Sequence, residues 1–285
     1  MIQKVVIPAA GLGTRLLPAT KEQPKEMLSI FALCSDGRVC LKPLVQLVFE
    51  QLYDTGFRKF CFIIGRGKRA IEDHFTPDYE YFNMLKNMGK TGMMRELQNF
   101  YDRIESSTMV WVNQPRPKGF GDAVLKTQPF VGDEAFLVQA GDTYITSSQN
   151  QHLKRLMEMH EEYGSDITFL VQEVEDPRQH GVVETEEEKT GIYKVNQVIE
   201  KPERPPTNLA IIPVYVFHPV IFKALETTRP GKGGEIQLTD AIQKVIEWGL
   251  KVYAVELEIH ETRLDIGNPE TYWDAIRLSY QHVCI

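Results

Sequence analysis

The chain has 285 residues, 42% hydrophobic and 25% charged, a balance that suits a packed core and excludes extended disorder. Thirty-nine acidic residues against 32 basic ones leave a formal charge of -7, which argues against nucleic acid or an anionic membrane as the partner. The N-terminus has no secretory pattern and no run reaches the roughly 20 apolar residues of a bilayer span, so a cytoplasmic protein is expected.

Residues 5–10 form the first short apolar run, read as a buried strand, and it empties into Ala10-Gly11-Leu12-Gly13-Thr14-Arg15. A strand ending in such a turn can present backbone N–H groups and a guanidinium to a phosphate, which makes a nucleotide-using enzyme the first hypothesis. The position three after Gly13 is Leu16, so the dinucleotide spacing GxGxxG fails where close helix-to-strand packing needs glycine. Arg15, Lys21 and Lys25 then put three cations in eleven residues, enough to surround a triphosphate if the loop curls over it.

Asp36-Gly37 has the chemistry of a tight turn, and the spacing of Cys34 and Cys40 on its flanks leaves a disulfide between them open. A helix over 42–55 stops at Gly56, and the apolar strand 60–64 makes Cys61 a buried thiol. Gly65-Arg66-Gly67-Lys68 has the wrong spacing for a P-loop, with Arg69 where a hydroxyl residue belongs. Segment 78–107 reads as a helical insertion with loops, in which Met84, Met88, Met93 and Met94 are expected to fill gaps in a helical core.

Apolar runs at 109–112, 135–138 and 167–171 predict further strands, and 149–163 predicts a helix ended by Gly164. Together these make an α/β sheet with crossover helices. From 180 to 212 the pattern changes to short extended segments broken at 186–191, which suggests hairpins of a second lobe rather than another βαβ unit. Helices over 219–226 and 236–248, a strand over 252–256 and a helix over 269–280 opened by Pro269 complete the chain.

Residues 6–21, followed by Pro24-Lys25-Glu26-Met27-Leu28, closely resemble the prokaryotic UTP-glucose-1-phosphate uridylyltransferases of the sugar nucleotidyltransferase family. Further matches come in the same order: Lys42-Pro43-Leu44, Gly119-Phe120-Gly121-Asp122-Ala123-Val124, Gly141-Asp142, Gly181-Val182-Val183, Glu200-Lys201-Pro202, Asn208-Leu209-Ala210, Glu235-Ile236-Gln237-Leu238-Thr239-Asp240 and Asp265-Ile266-Gly267-Asn268. The resemblance implies a single catalytic unit over 1–285. Its fold would be a Rossmann-like mixed-sheet α/β nucleotidyltransferase core with an interleaved smaller sugar-binding lobe, here about 173–235. It also implies Mg2+ as cofactor and a homodimer or homotetramer. The implied reaction transfers uridylyl from UTP to glucose 1-phosphate, giving UDP-glucose and pyrophosphate.

Carried over by motif, Ala10, Gly11, Gly13, Gln114 and Gly119 are implied as nucleotide contacts, and Arg15 and Lys25 as phosphate ligands. Gly181, Glu200 and Lys201 are implied on the sugar-phosphate side, and Asp142 and Asp265 as the magnesium carboxylates. The residues themselves add physical support. Asp142 follows an apolar run and Gly141, which can set a carboxylate at a strand end, although a cap or turn aspartate would read the same way. Two carboxylates with phosphate oxygens and water suit octahedral magnesium, whereas the scattered histidines offer no zinc-like cluster. If 200–201 lies in a strand, Glu200 and Lys201 point to opposite faces and reach one ligand together only at its end or at a bulge.

Residues 32–40 look like an insertion relative to the common bacterial pattern, His180 stands where relatives often have an aromatic, and Gly234 replaces a residue that is acidic in some of them. Gln114-Pro115-Arg116-Pro117-Lys118-Gly119 resembles the loop of related thymidylyltransferases, which leaves dTTP open as the alternative donor. One methyl group supplies only about 1–3 kcal/mol of discrimination. A non-catalytic sugar-nucleotide-binding regulatory subunit is the alternative of another class.

Overall fold

The run Lys4–Pro8 forms β1, whose Val5 and Ile7 turn to one hydrophobic layer while Val6 turns to the other. A strand buried on both faces is the signature of a sheet sandwiched between helices. In the computed structural model, which describes residues 2–284 apart from the Lys232 side chain, that sheet has nine strands.

After β1 come the hairpin of β2 (Ser29–Leu33) and β3 (Val39–Pro43), then α1 (Leu44–Asp54), β4 (Lys59–Ile64), α2 (Arg69–His74), α3 (Tyr79–Asn87), α4 (Thr91–Glu105) and β5 (Thr108–Asn113). The chain continues through α5 (Phe120–Leu125), α6 (Gln128–Val131), β6 (Phe136–Gln139), β7 (Thr143–Thr146), α7 (Gln151–Tyr163) and β8 (Ile167–Glu173). It closes with β9 (Gly181–Lys189), β10 (Ile192–Glu200), β11 (Leu209–Phe217), α8 (Val220–Thr227), α9 (Leu238–Glu247), β12 (Val252–Glu256), β13 (Thr262–Asp265) and α10 (Pro269–Cys284).

The strand order is β5-β4-β1-β6-β11-β8-β12-β10-β9, so the sheet is mixed. β1 pairs in parallel with β4 on one side and β6 on the other. From β1 the chain winds outward to β4 and β5, then returns to the opposite side of β1 with β6. That reversal is a topological switch point, where a crevice opens beyond the carboxyl ends of the strands and ligands bind. The β9–β10 hairpin turns at Gly191 and extends the far edge of the same sheet through β12.

Phe49 of α1 meets Phe60, Phe75 and Phe100 with ring centroids 4.8, 5.3 and 6.2 Å apart, a cluster that ties α4 to the sheet. Each such aromatic pair contributes about 0.5–1.5 kcal/mol beyond area burial. The methionines expected in a helical core lie outside it: Met84, Met88 and Met93 are 48%, 59% and 55% exposed. The helix pair is anchored by Leu85, Phe100, Tyr101 and Ile104, with Phe82 and Leu97 packed beside them, and of the four methionines only Met94 is half-buried.

One open alternative closes and two predicted helix starts shift. Cys34 and Cys40 are free thiols on the β2–β3 hairpin, not a disulfide. The helix predicted from 149 starts at Gln151, because Gln149 and Asn150 take positive φ. The helix predicted from 236 starts at Leu238, because Ile236 is held outside it: its N–H donates to Lys118 O, and its own carbonyl accepts from Gly121 N–H.

Candidate active site

The 10–15 turn leaves β1 and curls back on itself through Gly13, whose φ of +66° a side chain would resist and whose carbonyl accepts from Thr20 Oγ1 at 2.8 Å. Its backbone walls a cavity of about 430 Å³ at the switch point. Ala10, Gly11, Gly13, Arg15, Lys25, Gln114, Gly119 and Asp142, eight of the residues singled out from the sequence, line this one space. Arg15 is exposed at its rim, whereas Lys21 turns to solvent beside Glu22 and takes no part in the lining.

Lys25 opens a single 3-10 turn after Pro24, and its ammonium donates to Asp142. Their side chains are only 15% and 19% exposed, so little water screens the pair. Burial alone would raise the Asp142 carboxyl, but the Lys25 ammonium and its hydrogen bond, with Arg263 beyond, hold it below its ordinary range. Burial likewise pulls Lys25 down, and Asp142 and Glu26 more than offset it, so the ammonium is held above its usual value.

Asp265, 123 positions after Asp142 by number, is brought beside it by the antiparallel pairing of β7 and β13. That register sets Asp265 opposite Thr143, and Ile266 N–H donates to Asp142 O at 3.1 Å. Asp265 Oδ1 accepts from Thr143 Oγ1 at 3.3 Å and lies 3.4 Å from Arg263 Nη2. Among the described residues no three His, Cys, Asp or Glu side chains gather into a protein-only metal cage. Asp142 lines the main cavity and Asp265 a smaller one beside it, and two carboxylates so placed suit a cation that draws its other ligands from substrate and water.

Gln114 follows β5, and Gly119 caps α5 with a φ of +101°. A Cβ at Gly119 would stand 2.8 Å from both Glu235 Cβ and Ile236 O, so the loop and segment 235–236 approach as closely as only glycine allows.

Gly181, Glu200 and Lys201 do not line the main cavity; they meet one another at the joined ends of β9 and β10, where Glu200 pairs with Gly181. Lys201 takes a φ of +43° just past β10, which breaks the alternation of the strand. The two side chains therefore converge, with Lys201 Nζ 2.9 Å from Glu200 Oε1. Thr239 Oγ1 donates to Glu200 Oε2 at 2.7 Å. Asp265 faces this side too, sharing a smaller cavity of about 310 Å³ with His180 and Arg263.

Three residues of the site went unassigned in the sequence. Glu26, 2% exposed and lining the cavity, accepts from Lys68 Nζ at 2.8 Å, so the lysine of the failed P-loop serves a buried ion pair. Arg263 stands beside Asp265, and Thr239 orients Glu200. Glu26 and Thr239 lie inside the matched motifs, which is the only signal that pointed to them; Arg263 lies two positions before one.

A sheet that reverses direction at β1, with a glycine turn, a lysine–carboxylate pair and a second carboxylate at the strand ends, is the build of a nucleotide-binding transferase. The nucleotidyl transferase family model matches residues 4–281, and the chain belongs to that family. It is 36% identical to the UTP-glucose-1-phosphate uridylyltransferase of Pseudomonas aeruginosa, covering 99% of this chain and 98% of that one. It is 40% identical to UTP-glucose-1-phosphate uridylyltransferase 2 of Staphylococcus saprophyticus over 93% of this chain and 88% of that protein. A crystal structure of UDP-glucose pyrophosphorylase complexed with UDP-glucose superposes with a TM-score of 0.83 at 34% identity, covering 99% of this chain and all of that one. Within the family the chain is thus of the prokaryotic uridylyltransferase type.

Proposed function

We propose that the protein catalyses magnesium-dependent transfer of uridylyl from UTP to glucose 1-phosphate, releasing pyrophosphate and forming UDP-glucose. An oxygen of glucose 1-phosphate attacks the α-phosphorus of UTP in line with the departing pyrophosphate. That phosphate already carries negative oxygens near neutral pH, its second pKa being about 6, so no protein base is needed. The chain's task is to bring two anions together and hold them.

In this reading the 10–15 backbone, Gln114 and Gly119 seat the nucleotide, and Arg15 and Lys25 take its phosphates. Glu200 binds glucose hydroxyls beside Gly181, and Lys201 takes the sugar phosphate. Asp142 and Asp265 would hold Mg2+, which when bound neutralises charge on the transferring and leaving phosphates. Lys25, already drawn to Asp142, keeps a cation against that carboxylate and moves its ammonium onto phosphate oxygen as substrate enters. The observation that carries the reading is the β7–β13 register, which sets Asp265 against Thr143 next to the Lys25–Asp142 pair.

The test incubates the protein and Mg2+ with UTP, dTTP and other nucleotides against glucose 1-phosphate, galactose 1-phosphate and related sugars, measuring pyrophosphate and identifying each sugar nucleotide. UDP-glucose as the leading product is expected. A strong preference for dTTP would make the protein a thymidylyltransferase, and no turnover by folded protein would make it a sugar-nucleotide-binding subunit.

A further inference from the structure

The neighbours of the Gln114 amide dictate which way it faces. Gln114 extends the ladder of β5, its N–H donating to Ile64 O at 2.7 Å, and the residue is only 5% exposed. Its Nε2 donates to Asp122 Oδ2 at 2.8 Å and to Gly119 O at 3.1 Å. A carboxylate and a carbonyl are both acceptors, so turning the amide over would set its oxygen against two oxygens and strand its NH2 group. Oε1 therefore faces the other way, on the side chain that lines the main cavity with Pro117, Gly119 and Phe120.

Asp122 is itself firmly held. It sits in the first turn of α5, 6% exposed, with Oδ1 3.7 Å from Lys126 Nζ. The loop before it is clamped to segment 235–236: Gly121 N–H donates to Ile236 O at 2.9 Å, and Ile236 N–H to Lys118 O at 2.8 Å.

We propose that Asp122 is a positioning residue that sets the hydrogen-bond polarity of the base pocket. By engaging Nε2 it leaves Oε1 as a fixed acceptor, which selects a base that offers a ring N–H. Uracil and thymine carry that imide N–H, whereas the matching ring nitrogen of cytosine is an acceptor and would face oxygen against lone pair. A polar site of this kind rejects the mismatched partner because a buried group is left unpaired. The inference rests on the proposed placement of the base at Gln114.

The experiment measures kcat and KM for UTP and for CTP, with saturating glucose 1-phosphate and Mg2+, and equilibrium binding of both nucleotides so that the comparison does not depend on turnover. Asp122→Leu removes the shorter and charged of the two acceptors and leaves the Gly119 carbonyl alone to favour this orientation of the amide. The UTP-to-CTP ratio of kcat/KM, and of affinities, is expected to fall at least about tenfold, mainly through a higher KM for UTP, with kcat on UTP kept within about threefold. Asp122→Asn offers the amide a donor as well as an acceptor and is expected to give a ratio between those of the parent and Asp122→Leu. If circular dichroism shows Asp122→Leu misfolded, Asp122→Ser is read in its place, since its hydroxyl is too short to reach Nε2.

Gln114→Leu separates the two levels of the argument. A collapsed ratio in Gln114→Leu with an unchanged ratio in the Asp122 variants overturns the role of Asp122 and leaves the base site standing. An unchanged ratio in Gln114→Leu removes the base site and the inference with it. Equal losses for UTP and CTP in the Asp122 variants make Asp122 a support of α5 only and also overturn the proposal.

Discussion

Lys68→Met removes the ammonium that faces Glu26 across 2.8 Å, in a pair whose side chains are 7% and 2% exposed. At that distance the Coulomb attraction is about 6 kcal/mol with an effective dielectric of about 20. Withdrawing two charges from water costs several kcal/mol for each, so the intact pair is close to neutral for stability. With the lysine gone the attraction vanishes and the carboxylate desolvation stays, and a loss of about 3–5 kcal/mol is expected.

The sign with pH follows from Glu26. Burial raises its carboxyl above the ordinary 4.5 and Lys68 opposes that, so removing Lys68 raises it further. The folded chain then keeps a proton that the unfolded chain releases, and stability falls as pH rises from the ordinary carboxyl value through the folded one. Urea unfolding at pH 8 is expected to show the full loss, and at pH 5 a smaller one. Glu26→Gln added to Lys68→Met leaves a neutral pair and is expected to recover the parent's stability to within about 1 kcal/mol. A loss below about 1 kcal/mol at pH 8, or one that does not change with pH, would refute the reasoning.

Asp142→Asn and Asp265→Asn are each expected to reduce Mg2+-dependent turnover by at least about an order of magnitude, with circular dichroism like the parent's; unaltered kinetics would reject both as metal carboxylates. Lys201→Ala is expected to raise the KM for glucose 1-phosphate about tenfold while UTP affinity changes little. Equal losses in the two separately measured affinities would count against its place on the sugar phosphate.

Much of the sheet was legible in the chain because its strands are buried on both faces and appear as uninterrupted apolar runs: β1, β4, β6 and β8 all lie within a residue or two of the expected segments. The glycine turn was equally legible, since Gly13 carries its conformational requirement in its identity. β7 and β13 were not. Each has four residues, and each exists because the other supplies hydrogen-bond partners more than a hundred positions away. That pairing brings Asp265 to Asp142, so a motif match could name both carboxylates but no local property could join them. The same holds for Glu200 and Lys201: a strand sends them to opposite faces except at its end or a bulge, and it is the fold that ends β10 at Glu200 and, with a positive φ at Lys201, turns them together. Lys68 and Gln114 show the limit from the other direction. Sequence reads Lys68 as a near-miss phosphate lysine and, by resemblance, Gln114 as a nucleotide contact, and only the folded packing supplies the buried carboxylates, Glu26 and Asp122, that each one meets. The chain by itself determined which segments are buried and which residues can hold a charge or a turn. The tertiary structure decided which charges face one another, because that depends on strand order and register, which are properties of distant segments taken together.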